Sequence, residues 1–261
     1  MQFRAWALLL LLAAGCTGGG NNMTGPVGFT ARANVSGSYG ITGMSQTTSQ
    51  SYLIGGIFQN DGNGNISGVA RVDRSACFDF GVPVTFSGSV NSQNQLTLTS
   101  ASINGQVITL SGSVSSDGKS ISGGTFSISG GCASGDHGTT SGFQVQGVAG
   151  TYSGTFLIAG HPVTVTAAIT QENGGNTGAS MLTGTISFTI NGALCDLPTN
   201  TNVSFGGVVA GSDVHISVQN TLSGTATFVG AATDGTGKTI TGTIDLTNTC
   251  AGDIPSLTLA Q

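Results

Sequence analysis

The sequence predicts an all-β protein built from two tandem antiparallel up-and-down β-barrels of about eight strands each. Three observations predict this fold class. Apolar and polar residues alternate over short runs, turn signals separate these runs at roughly ten-residue spacing, and the second half of the chain repeats the first. A meander that closes on itself leaves no sheet edge exposed. A pair of β-sandwiches is the alternative, because the same strand count allows it.

The first fifteen residues, MQFRAWALLLLLAAG, predict an export signal. One positive residue, Arg4, precedes an apolar run over residues 5–14. That run is too short to cross a bilayer, and small residues follow it, as in a secretory signal peptide.

The residues AAGC at 13–16 resemble the lipobox of bacterial lipoproteins. This resemblance implies that residues 1–15 are a lipoprotein signal peptide and that Cys16 becomes the lipid-carrying first residue of the mature chain, with palmitate or similar acyl chains. Thr17 follows the cysteine in place of Asp, which implies sorting to the outer membrane where a cell has two membranes. The alternative is an ordinary signal cleaved nearby, which leaves Cys16 as a free thiol.

Residues 16–34 predict a lipidated cysteine and a flexible tether. The stretch TGGGNNMTGPVGFTARAN is rich in Gly and Asn and has no apolar periodicity. We expect the protein to bind the membrane through the lipid on Cys16.

Two related units follow the tether, at residues 35–147 and 148–261. VSGSYGITG near the start of the first unit matches VAGTYSGTF in the second, which places Tyr39 and Tyr152 in corresponding positions. Towards the end of each unit, GKSISGGTFSISGGCASGD matches GKTITGTIDLTNTCAGD. The repeat predicts two barrels of the same construction.

Period-two patterns define the strands within a unit. VTVTAAIT at 163–170 and TISFTI at 185–190 place their apolar residues on one face and mostly threonine on the other. Asp-Gly and Asn-Gly pairs in the intervening turns supply the positive φ angles of tight hairpins. These features predict half-buried antiparallel strands joined in sequence order.

The opening Gly-x-Tyr of each unit, followed by a meander, resembles the calycin pattern of lipocalins and avidins. Tyr39 and Tyr152 stand where that family carries tryptophan. The resemblance implies a barrel that can bind a small apolar ligand. If the protein is such a carrier, we expect residues such as Phe188, Val165 and Phe228 to line its cavity. An eight-stranded barrel is equally well filled by its own side chains.

Five cysteines occur in the chain. With Cys16 assigned to lipid, an even set remains, as expected for an oxidising compartment. Cys77 and Cys132 are 55 residues apart, and so are Cys195 and Cys250. This equal spacing favours the disulfides 77–132 and 195–250 over the two other connectivities. The chain has no Cys-x-x-Cys pair, so no metal site is expected at the cysteines.

Composition excludes some partners. The formal net charge is −5, and only 7% of the residues are charged, which argues against nucleic acid as a partner. A sixteen-stranded transmembrane barrel needs aromatic girdles, whereas the chain has three Tyr and one Trp, and that Trp lies in the signal.

Two loops resemble ligand-binding sequences. Gly237-Lys238-Thr239 ends like a phosphate-binding loop, but the first glycine of that motif is replaced by Ala232 and an alternating strand follows. DGNGN at 61–65 spaces Asp61 and two asparagines as a calcium loop does, without the later glycine and glutamate. Both sequences predict turns, and no metal or cofactor is expected.

The three histidines share no local ligand spacing. Asp136-His137 is the one pair that suits a hydrolase, and this hypothesis requires a Ser or Thr hydroxyl close to His137. His215 lies in the strand VHISV and is predicted to point to solvent.

These observations together predict a non-enzymatic, lipid-anchored, extracytoplasmic protein of the cell envelope. It is expected to act as an interaction or structural module with no cofactor. The alternative is a small apolar ligand carrier that uses the barrel interior.

Overall fold

The computed structural model describes residues 32–174, 177–190, 201–220, 224–246 and 256–261. Sixteen strands run through these residues: β1 (Gly37–Ser45), β2 (Ser51–Asn60), β3 (Asn65–Asp73), β4 (Val84–Val90), β5 (Gln95–Ser100), β6 (Val107–Val114), β7 (Ser120–Ser129), β8 (His137–Gln144), β9 (Gly150–Ile158), β10 (His161–Glu172), β11 (Ser180–Ile190), β12 (Val203–Ala210), β13 (Asp213–Asn220), β14 (Gly224–Ala232), β15 (Thr239–Leu246) and β16 (Ser256–Ala260). No helix in the described ranges is long and apolar enough to span a membrane.

The strands form two closed barrels, β1–β8 and β9–β16, in which consecutive strands pair antiparallel. Barrel 1 closes where β1 pairs with β8, from Tyr39 opposite Gln144 to Ser45 opposite Gly138. Barrel 2 closes where β16 meets β9, with Ala260 opposite Ser153. The predicted all-β fold of two eight-stranded up-and-down barrels is confirmed, and the alternative of two sandwiches is wrong.

Alternation along most strands separates the barrel interior from the outer wall. In β10 the residues Val163, Val165, Ala167 and Ile169 are all buried, while the threonines between them are exposed. Each barrel has its own cluster of buried apolar side chains. In barrel 1 the alternation of β7 is interrupted at Ser122 and Gly123, where the register with β8 shifts between Ile121 and Gly124.

Aromatic rings pack edge to face within barrel 1. The rings of Tyr39 and Phe58 are 6.2 Å apart, those of Phe58 and Phe86 are 6.3 Å apart, and those of Tyr52 and Phe126 are 5.4 Å apart. Each such pair contributes about 0.5–1.5 kcal/mol beyond the area it buries. The interior of barrel 1 is therefore a packed core.

Short segments close the barrel ends. Ala33 and Val35, just before β1, are buried in the core of barrel 1, and the Ala33 amide donates to the Asn94 side chain. The predicted tether thus includes a residue that packs on the barrel. Val145 and Val148, between β8 and β9, are buried in the core of barrel 2 in the corresponding way.

Candidate functional site

The barrel interior is the site expected for a ligand carrier. Phe188 and Val165 are fully buried, and Phe228 is nearly so, within one continuous core cluster. Cavities of about 380 and 310 Å³ lie on outer walls, beside Val69 and Met181 respectively. Neither is lined by the three interior residues, so the carrier hypothesis gains no support from them.

The two Gly-Lys turns are structural partners of the two buried tyrosines. The Tyr39 hydroxyl donates to the Gly118 carbonyl oxygen at 2.5 Å, and the Tyr152 hydroxyl donates to the Gly237 carbonyl oxygen at 2.5 Å. Both glycines have positive φ, of 78° and 69°. The turn that resembles a phosphate-binding loop therefore accepts a hydrogen bond from a buried tyrosine and helps to close its barrel. Lys238, beside it, is exposed to solvent.

Loops at the opposite end of barrel 1 are joined by the cysteine pair. Cys77 and Cys132 lie at disulfide distance, with Cα atoms 5.6 Å apart. The buried Gln106 side chain bonds both loops: its Nε2 donates to the Cys77 carbonyl at 2.9 Å, and its Oε1 accepts from the Ala133 amide at 2.8 Å. Asp79 accepts from the amide two residues on, as a local turn cap. This end of the barrel is covered by three connected loops.

Asp136 belongs to a buried polar cluster rather than to a catalytic pair. Ser45 Oγ donates to its Oδ1 at 2.6 Å, and the Tyr52 hydroxyl donates to its Oδ2. Burial opposes ionisation, but these hydrogen bonds outweigh it and lower the pKa of Asp136. His137 is exposed, and its Nδ1 lies 3.1 Å from the Gly135 carbonyl. The described residues give His137 no Ser or Thr hydroxyl, so the hydrolase hypothesis lacks its required contact.

The DGNGN loop is a turn held by its own carboxylate. Asp61 Oδ1 accepts from the amides of Asn63 and Asn65 at 2.8 and 3.0 Å, and its Oδ2 accepts from the Asn65 side chain at 2.6 Å. The Asn65 side-chain hydrogen bond in particular lowers the pKa of Asp61. Both carboxylate oxygens are thus engaged within the turn, as expected for an Asx-type loop.

The two barrels, which belong to one compact unit over Ala31–Gln261, meet at a patch of glycines. Gly40 and Gly55 stand opposite each other on β1 and β2. A Cβ on Gly55 would overlap the carbonyl oxygen of Ala210, the last residue of β12, and one on Gly40 would overlap Ser212 Oγ in the β12–β13 turn of barrel 2. Because neither glycine carries a side chain, this turn lies directly on the backbone of barrel 1.

The connection between the barrels is also fixed by backbone hydrogen bonds. The Val145 amide donates to the Ser38 carbonyl in barrel 1, and the Gln146 amide donates to the Gly235 carbonyl in barrel 2, both at 2.8 Å. Leu53 is 4% exposed although it belongs to neither core cluster. The two hydrogen bonds make the linker part of the interface.

One histidine and two carboxylates meet at this interface. His215 Nε2 lies 3.2 Å from Asp73 Oδ2, at the end of β3, and 3.4 Å from Asp213 Oδ2, two residues away on β13. The His215 ring stacks on Phe80 with centroids 3.9 Å apart and an interplanar angle of 13°. The prediction that His215 points to solvent is wrong: it lies on the outer face of its strand, but barrel 1 covers that face.

Burial and hydrogen bonding act in opposite directions on this cluster. Burial lowers the pKa of His215, but hydrogen bonds with Asp213 and Asp73 outweigh it and raise the pKa to about 9. The hydrogen bond with His215 lowers the pKa of Asp73, whereas burial raises the pKa of Asp213. At neutral pH the imidazolium therefore faces the ionised Asp73, and Asp213 is the carboxylate that is harder to ionise.

A nearby arginine holds the loop that carries Phe80. Arg71 Nη1 donates to the carbonyls of Phe80 and Gly81 at 2.8 and 2.9 Å, and its guanidinium lies 5.5 Å from the Phe80 ring centroid. This loop segment and the two strands thus hold the three polar groups in place.

Sequence reasoning missed this cluster. Asp73 and His215 are 142 residues apart, and nothing local links them. The available signal was the spacing of Asp213 and His215, which places a carboxylate and an imidazole on one face of β13.

Several predicted site residues lie outside the described residues. These are the lipidation site Cys16 and the second cysteine pair, Cys195 and Cys250. The disulfide between Cys195 and Cys250 stays a prediction, and so does the signal peptide.

No protein-family model matches the chain, and no curated protein matches it. Among solved structures, the chain is similar to a protein of unknown function from the DUF3598 family of Nostoc punctiforme. The two share 12% sequence identity at a TM-score of 0.24, over 88% of this chain and 94% of that chain. At this TM-score, function must be argued from the chain's own residues.

Proposed function

We propose that this protein is a lipid-anchored, extracytoplasmic protein of the cell envelope whose two barrels act together as one non-enzymatic interaction or structural module. The observation that carries the proposal is the direct docking of the β12–β13 turn on Gly40 and Gly55 of barrel 1. Docking of this kind gives two barrels a fixed mutual arrangement and hence one defined outer surface.

Two further features support a module over a carrier or an enzyme. The apolar side chains that would line a carrier site are packed into the barrel cores. The polar clusters around Asp136 and His215 bond other protein groups, and among the described residues neither cluster places a Ser or Thr hydroxyl in hydrogen-bond contact with a histidine. A partner would therefore be recognised by the outer walls of the barrels.

The anchor is argued from the lipobox-like residues 13–16 and from the Gly- and Asn-rich stretch that follows. Of the predicted tether at residues 16–34, the 15 residues at 17–31 would have a root-mean-square span of about 20 Å if flexible, enough to hold a barrel clear of lipid headgroups. A single acyl chain binds a membrane only weakly, so stable anchoring takes the multiple chains that the lipobox implies.

The anchor is tested by expressing the protein in bacteria fed labelled palmitate. We expect the label and the membrane fraction to be lost in Cys16→Ser and retained in the matched control Cys77→Ser/Cys132→Ser. A soluble, unlabelled wild-type protein would rule out the anchor.

The module is tested by native mass spectrometry of the purified mature protein. We expect the mass of the polypeptide and its lipid, with no organic small molecule bound. A stoichiometric small apolar molecule that survives purification would favour the carrier instead.

A further inference from the structure

Asp73, Asp213 and His215 bring together the ligand types of a zinc site, contributed by both barrels. We propose that these three side chains bind a divalent transition-metal cation, Zn²⁺ by their chemistry, and that the bound ion bridges barrel 1 to barrel 2. The proposal is independent of the lipid anchor and of any partner of the outer wall.

The spacing of the ligand atoms fits a single ion. One atom from each of the three residues lies within 4.8 Å of the other two. Bonds of about 2.0–2.2 Å at tetrahedral angles place ligand atoms about 3.3–3.6 Å apart. The two separations from His215 Nε2, 3.2 and 3.4 Å, are close to this range.

The Asp213 carboxylate supplies a second, independent observation. Its side chain is 1% exposed, and its Oδ1 is buried without a hydrogen-bond partner among the described residues. A buried carboxylate oxygen without a partner is costly, and a cation bound at this carboxylate offsets that cost. The Asp213 carboxylate can therefore bind a cation in addition to the His215 imidazole.

The cluster is both pre-organised and reachable. Stacking on Phe80 fixes the plane of the His215 ring, and strands β3 and β13 hold the backbone of all three ligands. The side chains of His215 and Asp73 are 24% and 22% exposed, so a hydrated ion can enter from that side. The ion replaces the proton on His215 Nε2, which is released to solvent, and three protein ligands leave a fourth position for water.

The ligand set also predicts selectivity. An imidazole with two carboxylates suits Zn²⁺ and neighbouring transition-metal ions. Ca²⁺, by contrast, generally takes about six to eight oxygen ligands. We therefore expect Zn²⁺ to bind and Ca²⁺ not to bind at this cluster.

The test is titration of untagged, metal-free mature protein with ZnCl₂ by calorimetry, with CaCl₂ in parallel. We expect one Zn²⁺ per chain and a Zn²⁺-dependent rise in Tm. His215→Ala and Asp213→Asn should weaken Zn²⁺ binding by at least about 100-fold, beyond the 10–100-fold typical of outer-shell partners. His161→Ala and His137→Ala, at exposed histidines, are the matched controls and should bind as wild type.

Circular dichroism checks that each variant is folded. Should His215→Ala fail to fold, Asp73→Asn, at the more exposed carboxylate, replaces it in the comparison. Absence of Zn²⁺ binding in the wild type, or binding that survives in His215→Ala or Asp73→Asn, would overturn the proposal and leave the cluster as an ion pair between barrels. X-ray absorption of the zinc complex should give nitrogen and oxygen ligands without sulfur.

Discussion

Tyr39 and Tyr152 occupy corresponding places in the two barrels. Each is fully buried in the first strand of its barrel and donates its hydroxyl to the glycine carbonyl of a Gly-Lys turn. Burial raises the pKa of Tyr39 to about 12, and it raises the pKa of Tyr152 as well. Both hydroxyls therefore remain donors through the physiological pH range.

Removing these hydroxyls tests their role. Tyr39→Phe and Tyr152→Phe each leave a buried carbonyl without its donor, and we expect each to lower the free energy of unfolding by about 1–3 kcal/mol. Urea denaturation measures the change. The exposed Thr97 provides a control, because Thr97→Ser should stay within about 0.5 kcal/mol. Equal free energies of unfolding for the tyrosine variants and Thr97→Ser would contradict a role of these hydroxyls in closing the barrels.

Asp136 makes barrel 1 sensitive to acid. Since its native pKa is lowered by Ser45 and Tyr52 against an unfolded value of about 3.9, its stabilisation is complete above that value. It is lost as the pH falls through the native pKa. We expect Asp136→Asn to cost about 1–3 kcal/mol at pH 7 and to reduce the loss of Tm between pH 6 and pH 3.

Thermal unfolding across that pH range checks this prediction. Thr97→Ser, at an exposed position of β5, serves as the control and should keep the wild-type pH profile, because it removes no ionisable group. An Asp136→Asn profile parallel to that of wild type would show that the carboxylate does not titrate with folding.

At the scale of elements, the loops at one end of barrel 1 depend on the cysteine pair. Cys77 and Cys132 close a loop with a sequence separation of 55. In the loop-entropy model, a bridge over that length stabilises the fold by about 4 kcal/mol. Cys77→Ser/Cys132→Ser should therefore lower the unfolding free energy by about 2–4 kcal/mol, as measured in urea.

Reduction of the wild type offers an independent check. The reduced wild type and the double variant should have the same unfolding midpoint if the 77–132 bridge is the one that matters to barrel 1. A midpoint in the double variant that is unchanged from oxidised wild type would contradict the prediction.

The strands were predictable because their signals are local. In β10 the alternation of valine and threonine identifies the buried face correctly, since side chains of a strand alternate by geometry. The same rule places His215 on the outer face of β13, which is right. It cannot indicate that this face is covered, because that depends on how the surfaces of two barrels fit together. Asp73 and Asp213 could not be paired with His215 for the same reason.

At the scale of the whole molecule, the glycine patch decides how the barrels dock. A methyl group on Gly55 would overlap the Ala210 carbonyl oxygen, whereas one on Gly206 would have nothing within 4 Å. We expect Gly55→Ala to cost about 1–3 kcal/mol through this overlap, and Gly206→Ala to change stability much less. Hydrogen exchange at residues 210–213 should rise only in Gly55→Ala. Equal exchange in the two variants would argue against direct docking.

The hydrogen bonds of Tyr39 and Tyr152 also bear on the order of events during folding. They join residues 79 and 85 positions apart, and the strand pairs that close each barrel are similarly remote in sequence. Since remote pairings must wait for both partners, a nascent first barrel stays open until its last hairpin has been synthesised. On the proposal that the protein is exported, we expect the incomplete chain to stay open enough to pass a narrow translocation channel, because neither barrel can close before its last hairpin has been synthesised.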